Sequence, residues 1–169
     1  GFNIINDIKA GTNNGKMFEV AAKYKCPIII MHMKGNPLIM QNNPQYSNIM
    51  DELLYFFDEK ISFAKNLGLN NKQLILDPGL GFGKTVAHND FIINNINKLK
   101  QFKLPILIGL SRKSFLSFKN DLPGDRLPAS LGVSVLALIN GVDIIRTHDI
   151  ESTYKMINVV HRVLNSNLN

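Results

Sequence analysis

The segment QLILDPGLGFGKT, residues 73–85, decides how the whole chain is read. Gln73–Leu76 is a short apolar run, and an acid, a proline and glycines at 79, 81 and 83 follow it. A candidate helix over His88–Gln101 comes next. A strand that ends in a polar loop feeding a helix is one βα unit. Working outward, the same rhythm recurs in the apolar runs Phe2–Ile5 and Pro27–Met31 before it and Pro105–Leu110 and Val142–Arg146 after it. Each run is nearly continuous rather than alternating, the pattern of strands covered on both faces in a parallel sheet. The other candidate helices are Lys16–Tyr24, Ser47–Leu67, Leu127–Gly141 and Ser152–Leu164. In the longest of them Ile49, Leu53, Phe56, Phe57, Ile61 and Ala64 recur at helical spacing, and Gly68 supplies a stop.

Five consecutive strand–helix units imply right-handed crossovers and a parallel sheet. Two α/β architectures fit: an open doubly wound sheet and a TIM (β/α)8 barrel. A complete barrel takes about 250 residues, so five of its eight units need roughly 156, and the chain has 169. It also opens inside a strand. The expectation is therefore a partial barrel forming one domain over residues 1–169, with the first three strands missing. Such a piece would expose an unpaired strand edge and half a core, with poor solubility.

Composition removes several classes. Hydrophobic residues make up 45% and charged residues 19%, ordinary values for a globular domain. No apolar run approaches the roughly 18 residues of a membrane span, and the opening GFNIINDIKAG has no signal-peptide pattern. No membrane partner is expected. The single cysteine, Cys26, excludes an internal disulfide framework and fits the reducing cytoplasm; its apolar neighbours suggest a buried structural thiol. The formal charge of +6 is spread along the chain, and 21 Asn and 20 Ile accompany the 15 Lys. That skew points to A/T-rich coding, and no nucleic-acid partner is expected.

The chemistry lies at the strand ends, where barrel active sites form. These ends read Asn6-Asp7, Met31-His32-Met33, Asp77-Pro78-Gly79, Gly109-Leu110-Ser111-Arg112-Lys113 and Arg146-Thr147-His148-Asp149. The Asp77 carboxylate can accept two parallel hydrogen bonds and so suits a flat ring with an N–H beside an amino group; capping of its own turn is the structural alternative. The glycines let the loop backbone approach a ligand closely. GLGFGKT lacks P-loop spacing, which argues against a nucleotide triphosphatase. Lys113 can donate to a ring carbonyl. Arg146 and His148, two apart in extended chain, face the same way and can form one anion-binding face. Together with Arg112 they favour an anionic substrate over surface ion pairs. His32 reads equally well as a buried, hydrogen-bonded histidine. Met31 can line a pocket wall, His88 caps or flanks a helix, His161 faces solvent, and no zinc-site spacing occurs.

With those residues in view, IINDI (4–8), MHMKGNP (31–37), LDPGLGFGKT (76–85), GLSRKSF (109–115) and RTHD (146–149) resemble the dihydropteroate synthase family in order and spacing. The resemblance runs from that family's fourth strand through its eighth. It implies condensation of 6-hydroxymethyl-7,8-dihydropterin pyrophosphate with 4-aminobenzoate, releasing pyrophosphate in folate synthesis. By motif, Asn6 and Asp77 would bind the pterin, Lys113 its polar edge, and Met31, Gly109 and Phe82 the pocket. Arg146 and His148 would hold the pyrophosphate. Ser111, Arg112 and Phe82 would lie near the aminobenzoate, where sulfonamides compete. Mg2+ would share the pyrophosphate charge, its protein ligand lying in the absent N-terminal part and none in this stretch. A helix-mediated homodimer is usual in look-alikes. Lacking three strands, these residues alone are expected to turn over little or not at all. A non-catalytic pterin-binding remnant, or a methyltetrahydrofolate-binding methyltransferase domain, is the rival reading.

Overall fold

A computed structural model describes every residue except 2, 13, 37–39 and 167–169. Its strands are β1 (Ile5–Asp7), β2 (Ile28–Met31), β3 (Leu74–Asp77), β4 (Leu107–Gly109) and β5 (Ile144–Arg146). Its α-helices are α1 (Lys16–Tyr24), α2 (Ile49–Asn66), α3 (Val86–Asn95), α4 (Leu127–Ile139) and α5 (Ile150–Leu164). β1, β2 and β3 form one parallel sheet and β4 pairs with β5 in parallel. A single parallel bridge, Leu76 to Ile106, joins the two sheets, with Leu76 N donating to Pro105 O at 2.9 Å. The fold is α/β with parallel strands that follow one another in chain order.

Strand alternation sorts the side chains into two layers. Ile28, Ile30, Leu74, Leu76, Ile106 and Ile108 join the main core with Phe18, Leu53, Phe57, Ile92 and Ile96 from the helices. Ile29, Ile75 and Leu107 form a second buried cluster on the other face, with Ile144 packed against it. Two residues further along each of those strands stand Met31, Asp77, Gly109 and Arg146. The apolar layer thus sits directly beneath a layer of strand-end residues, and the pleat of the strand alone carries the chain from one to the other.

Strand ends differ from the sequence expectation at three strands. Asn6 and Asp7 lie within β1 and Asp77 is the last residue of β3, not the first residues of loops, β4 stops one residue early at Gly109, and β2 and β5 end as expected at Met31 and Arg146. The expected start at Phe2 lies outside the described residues. Gln73, expected in β3, sits in a short 3-10 turn and donates to Ala21 O at 3.2 Å. Backbone pairing rather than side-chain polarity ends a strand, so polar residues extend β1 by two positions and β3 by one. The third helix also stops early, at Asn95, and continues as a 3-10 turn through Phe102. Asn48 caps α2 by accepting from Met50 N and Asp51 N, and Gly68 follows its end at φ 90° as anticipated. Cys26 is half-buried against the main core. Among the described residues no helix is long and apolar enough to cross a membrane.

Candidate active site at the strand ends

Asp77 is the buried centre of the site, only 1% exposed at the end of β3. Its Oδ1 accepts from Gly79 N at 2.8 Å, so the turn-capping role and a second role coexist. Its Oδ2 accepts from Arg146 Nη2 at 2.9 Å. Arg146 reaches it from β5 by crossing β4 at Gly109: a β-carbon there would stand 2.9 Å from Arg146 Nη2 and 3.1 Å from Nε. The same guanidinium donates from Nη1 to Asn6 Oδ1 at 3.3 Å. Residues 6, 77, 109 and 146, drawn from four strands, therefore meet at one point.

Lys113 approaches from the β4 side. Its Nζ donates to the Leu80 carbonyl and lies 4.4 Å from the centre of the Phe82 ring. Burial pushes its pKa down to about 8; the Asp77 charge pulls it up and the Arg146 charge pushes it down. A cavity of about 220 Å³ is lined by Phe82, Gly109, Ser111, Lys113, Arg146 and His148, with Thr147. Met31 lines a neighbouring hollow of about 290 Å³ instead, with Lys9, Thr12, Met33 and Phe56 among its neighbours.

The single anion-binding face expected of Arg146 and His148 is not assembled here. Arg146 turns toward Asp77, whereas His148 turns toward Ser111: His148 N donates to Ser111 Oγ at 3.2 Å, and Nδ1 lies 3.1 Å from the same oxygen. Alternation puts two residues on one side of a strand, but the chain leaves β5 at Arg146, and beyond it loop contacts set direction. Arg112 is turned to Asp149, donating from Nε at 3.0 Å and also from Nη2. That pairing holds the Asp149 carboxyl below its usual range and raises Arg112. Ser111 Oγ also bonds Asp149 Oδ2 at 3.3 Å. Asp149 is thus the tie between Ser111, Arg112 and the loop carrying His148. The sequence reading included it in RTHD without a role; the available signal was an acid placed among cations at a strand end.

The glycine loop also behaves differently from expectation. A β-carbon on Gly79 would stand 1.9 Å from the His32 carbonyl oxygen, and one on Gly83 would stand 2.3 Å from that of Lys34. The close approach these glycines permit is to the protein's own β2 exit. Lys84, 3% exposed, ties the loop down. Its Nζ donates to Gly79 O at 3.1 Å, Phe82 O at 3.0 Å and His32 Nδ1 at 3.0 Å. The His32 carbonyl oxygen lies 3.5 Å from the same nitrogen, and while Lys84 is protonated its contact with Nδ1 calls for neutral His32 with Nδ1 bare. Burial, then the Lys84 charge, lowers His32 to about 3, and burial lowers Lys84 to about 7. His32 packs edge-on against Phe56, ring centres 4.9 Å apart. It is the buried, hydrogen-bonded histidine of the structural alternative. Asn89 in α3 accepts from Gly81 N at 2.8 Å, and His88 completes the Thr85 capping box. His161 is exposed.

Among the described residues no group of three His, Cys, Asp or Glu side chains could hold a metal ion.

Comparison with known proteins agrees with this geometry. The pattern of the pterin binding enzymes matches residues 1–148. Dihydropteroate synthase of Escherichia coli strain K12 is 38% identical over 170 aligned positions, covering 100% of this chain and 60% of that protein. The bifunctional dihydropteroate synthase/dihydropteroate reductase of Helicobacter pylori is 38% identical, over 94% of this chain and 41% of its own length. The crystal structure of Yersinia pestis dihydropteroate synthase with a sulfonamide drug complex superposes at a TM-score of 0.94 with 36% identity, over 99% of this chain and 61% of that one. That of Xanthomonas albilineans in complex with 7,8-dihydropteroate gives 0.90 with 30% identity, over 99% of this chain and 61% of its own. The chain therefore spans about three-fifths of the length of the first of these relatives. A pattern covering nearly nine-tenths of the residues, on a parallel-stranded scaffold that superposes so closely, means that the chain belongs to the pterin-binding enzyme family.

Proposed function

We propose that these residues form the strand-four-to-eight part of a (β/α)8 dihydropteroate synthase. The whole enzyme would join 6-hydroxymethyl-7,8-dihydropterin pyrophosphate to 4-aminobenzoate. One observation carries the reading: a buried carboxylate, Asp77, is held at 2.9 Å by Arg146, which with Lys113 and His148 lines a cavity. A buried acceptor surrounded by donors and cations suits a flat N–H/amino edge bearing an anionic tail.

In the reaction the bond between the pterin methylene carbon and the pyrophosphate oxygen breaks, and its electron pair leaves with pyrophosphate. The aminobenzoate nitrogen forms the new C–N bond and loses a proton. Asp77 and Asn6 orient the ring, with Asp77 accepting from N–H and amino hydrogens. Lys113 donates to the ring's polar edge, and burial holds its pKa down at about 8, so it keeps its charge at neutral pH. Arg146 and His148 stabilise the departing anion. Ser111, Arg112 and Phe82 border the aminobenzoate, the position for which sulfonamides would compete, while Met31 lines the neighbouring hollow on the β2 side. No covalent enzyme intermediate is needed. Mg2+ belongs to this reading as a charge partner of pyrophosphate, with its protein ligand outside this chain. Exposed Leu136, Ile139, Val159 and Val163 on α4 and α5 supply apolar surface for a homodimer, and one half-buried cysteine fits a cytoplasmic enzyme.

Asp77→Asn exchanges half of the acceptor pair for a donor. It is expected to weaken pterin binding on the order of 10- to 100-fold, read by isothermal titration. Unchanged affinity would remove Asp77 from the ring site. Pyrophosphate dependence separates a synthase from a mere pterin binder: aminobenzoate should bind only with pterin and pyrophosphate present. Turnover by the 169-residue chain, measured as dihydropteroate formation, is expected to be slight.

Asp149→Ala would release Arg112 and Ser111 together. Aminobenzoate affinity is expected to fall on the order of tenfold, because an ill-placed guanidinium loses its orientation. The thermal midpoint should fall modestly, since Arg112 is 41% exposed but Asp149, the acceptor for Ser111 and Arg112, is only 11% exposed. A large loss of stability with intact affinity would make Asp149 a structural residue instead.

A further inference from the structure

The guanidinium of Arg146 sits on the two groups assigned above to the pterin ring. It gives one N–H to Asp77 Oδ2 at 2.9 Å and another to Asn6 Oδ1 at 3.3 Å. A guanidinium and the 2-amino–N3–H edge of a pterin share one arrangement: two nitrogens on one carbon, each presenting hydrogens in a plane. Resting on the reading of this site as a pterin pyrophosphate site, we propose that Arg146 is a specificity-determining residue. Its guanidinium holds the ring's place on Asp77 and Asn6 and yields it when a pyrophosphate tail draws it away.

Three features of the site support an arm with two positions. Gly109 leaves the space across β4 that the arm occupies, since any β-carbon there would press on Nη2, Nε and Cζ at 2.9–3.3 Å. The Arg146 side chain is 39% exposed while its partner Asp77 is 1% exposed, so the arm can leave into solvent and the carboxylate cannot follow. The second position is already furnished. His148, two residues on, presents its ring beside the Ser111 hydroxyl in the same cavity. Lys113 lines the same cavity, so its charge and that of Arg146 oppose one another there.

The consequence is selectivity. A pterin lacking an anionic tail must displace Arg146 and offers it nothing, so its apparent affinity is reduced by the fraction of molecules with the arm outward. A pyrophosphorylated pterin supplies an acceptor for the arm and a ring for Asp77 at once. Inorganic pyrophosphate alone should therefore open the ring site, and binding of the two must be reciprocal.

The test is titration of 6-hydroxymethylpterin into the 169-residue chain, with and without saturating inorganic pyrophosphate, for the wild type and for Arg146→Met, which keeps the stem's bulk. In the wild type pyrophosphate is expected to tighten pterin binding on the order of tenfold. In Arg146→Met pterin alone should bind about as tightly as wild type does with pyrophosphate, and the enhancement should vanish. Circular dichroism checks that the variant is folded; the wild-type titration needs no variant. If wild type binds pterin equally with and without pyrophosphate, or if a folded Arg146→Met binds it more weakly, the placeholder role is overturned while the pterin site stands. If the folded wild type binds no pterin under either condition, both this role and the assignment of Asp77 and Asn6 as a pterin site within this chain fall.

Discussion

Gly79→Ala is expected to lower stability by about 3 kcal/mol or more, among the largest effects of any single methyl group in this chain. Residue 79 has φ 66°, a region costly to residues with a β-carbon. The added carbon would also lie 1.9 Å from the carbonyl oxygen of His32 and 3.0 Å from its carbon. Neither partner can withdraw cheaply. His32 N donates to Asp77 O at 2.9 Å, continuing the β2–β3 ladder, and Lys84 clamps Gly79 O from the other side. Relief requires prying β2 from β3 beside Asp77, so pterin binding should fall with stability. Gly81→Ala is the control. Its φ of 77° is similarly strained, but the new carbon meets first the flexible Lys113 side chain at 3.1 Å. Urea unfolding should separate the two by roughly 2 kcal/mol. Equal losses would show that the His32 contact relaxes and that backbone conformation alone sets the cost.

Lys84→Met should cost about 2–4 kcal/mol, and it carries a pH signature that ordinary packing loss lacks. The substitution keeps an unbranched apolar stem but leaves Gly79 O, Phe82 O and His32 Nδ1 without their buried donor. The cost is moderated because the wild type itself buries a cation. Lys84 titrates near 7 when folded and near 10.5 when unfolded. Below pH 7 both states hold the proton and stability does not depend on it. Between about 7 and 10.5 only the unfolded chain holds it, so wild-type stability rises with pH, by at most about 1.4 kcal/mol per unit. Methionine does not titrate. The wild-type advantage over Lys84→Met should therefore grow from pH 7 to pH 10 in denaturant melts. A gap that stays flat across that range would mean Lys84 keeps its charge throughout, with the three acceptors outweighing burial.

Both substitutions fall in DPGLGFGK, which the sequence presents as a ligand-facing loop and the structure presents as a clamp between β2 and β3. Its glycines were legible as positions needing unusual backbone or close approach, because that requirement follows from the missing side chain. What they approach was not legible, because the carbonyls of His32 and Lys34 lie nearly fifty residues earlier in the chain. Likewise, Lys84 attracted no functional reading once P-loop spacing failed. Its burial depends on three acceptors from separate turns, and no local pattern marks it.

From residue order alone came the five strand–helix units, their parallel pairing and the identity of the strand ends. Short apolar runs alternating with amphipathic stretches leave few other ways to bury both faces of a sheet. Also legible was that Asp77, Lys113 and Arg146 stand together at the strand ends, because hydrophobic periodicity breaks into charge where each strand reaches its rim. Which of those charges touch one another was decided in three dimensions. The reach of a guanidinium across Gly109, the turning of His148 to Ser111 and the grip of Asp149 on Arg112 depend on distances between strands. Those distances are set by sheet register and helix packing, which act between residues far apart in sequence and leave no trace in their spacing.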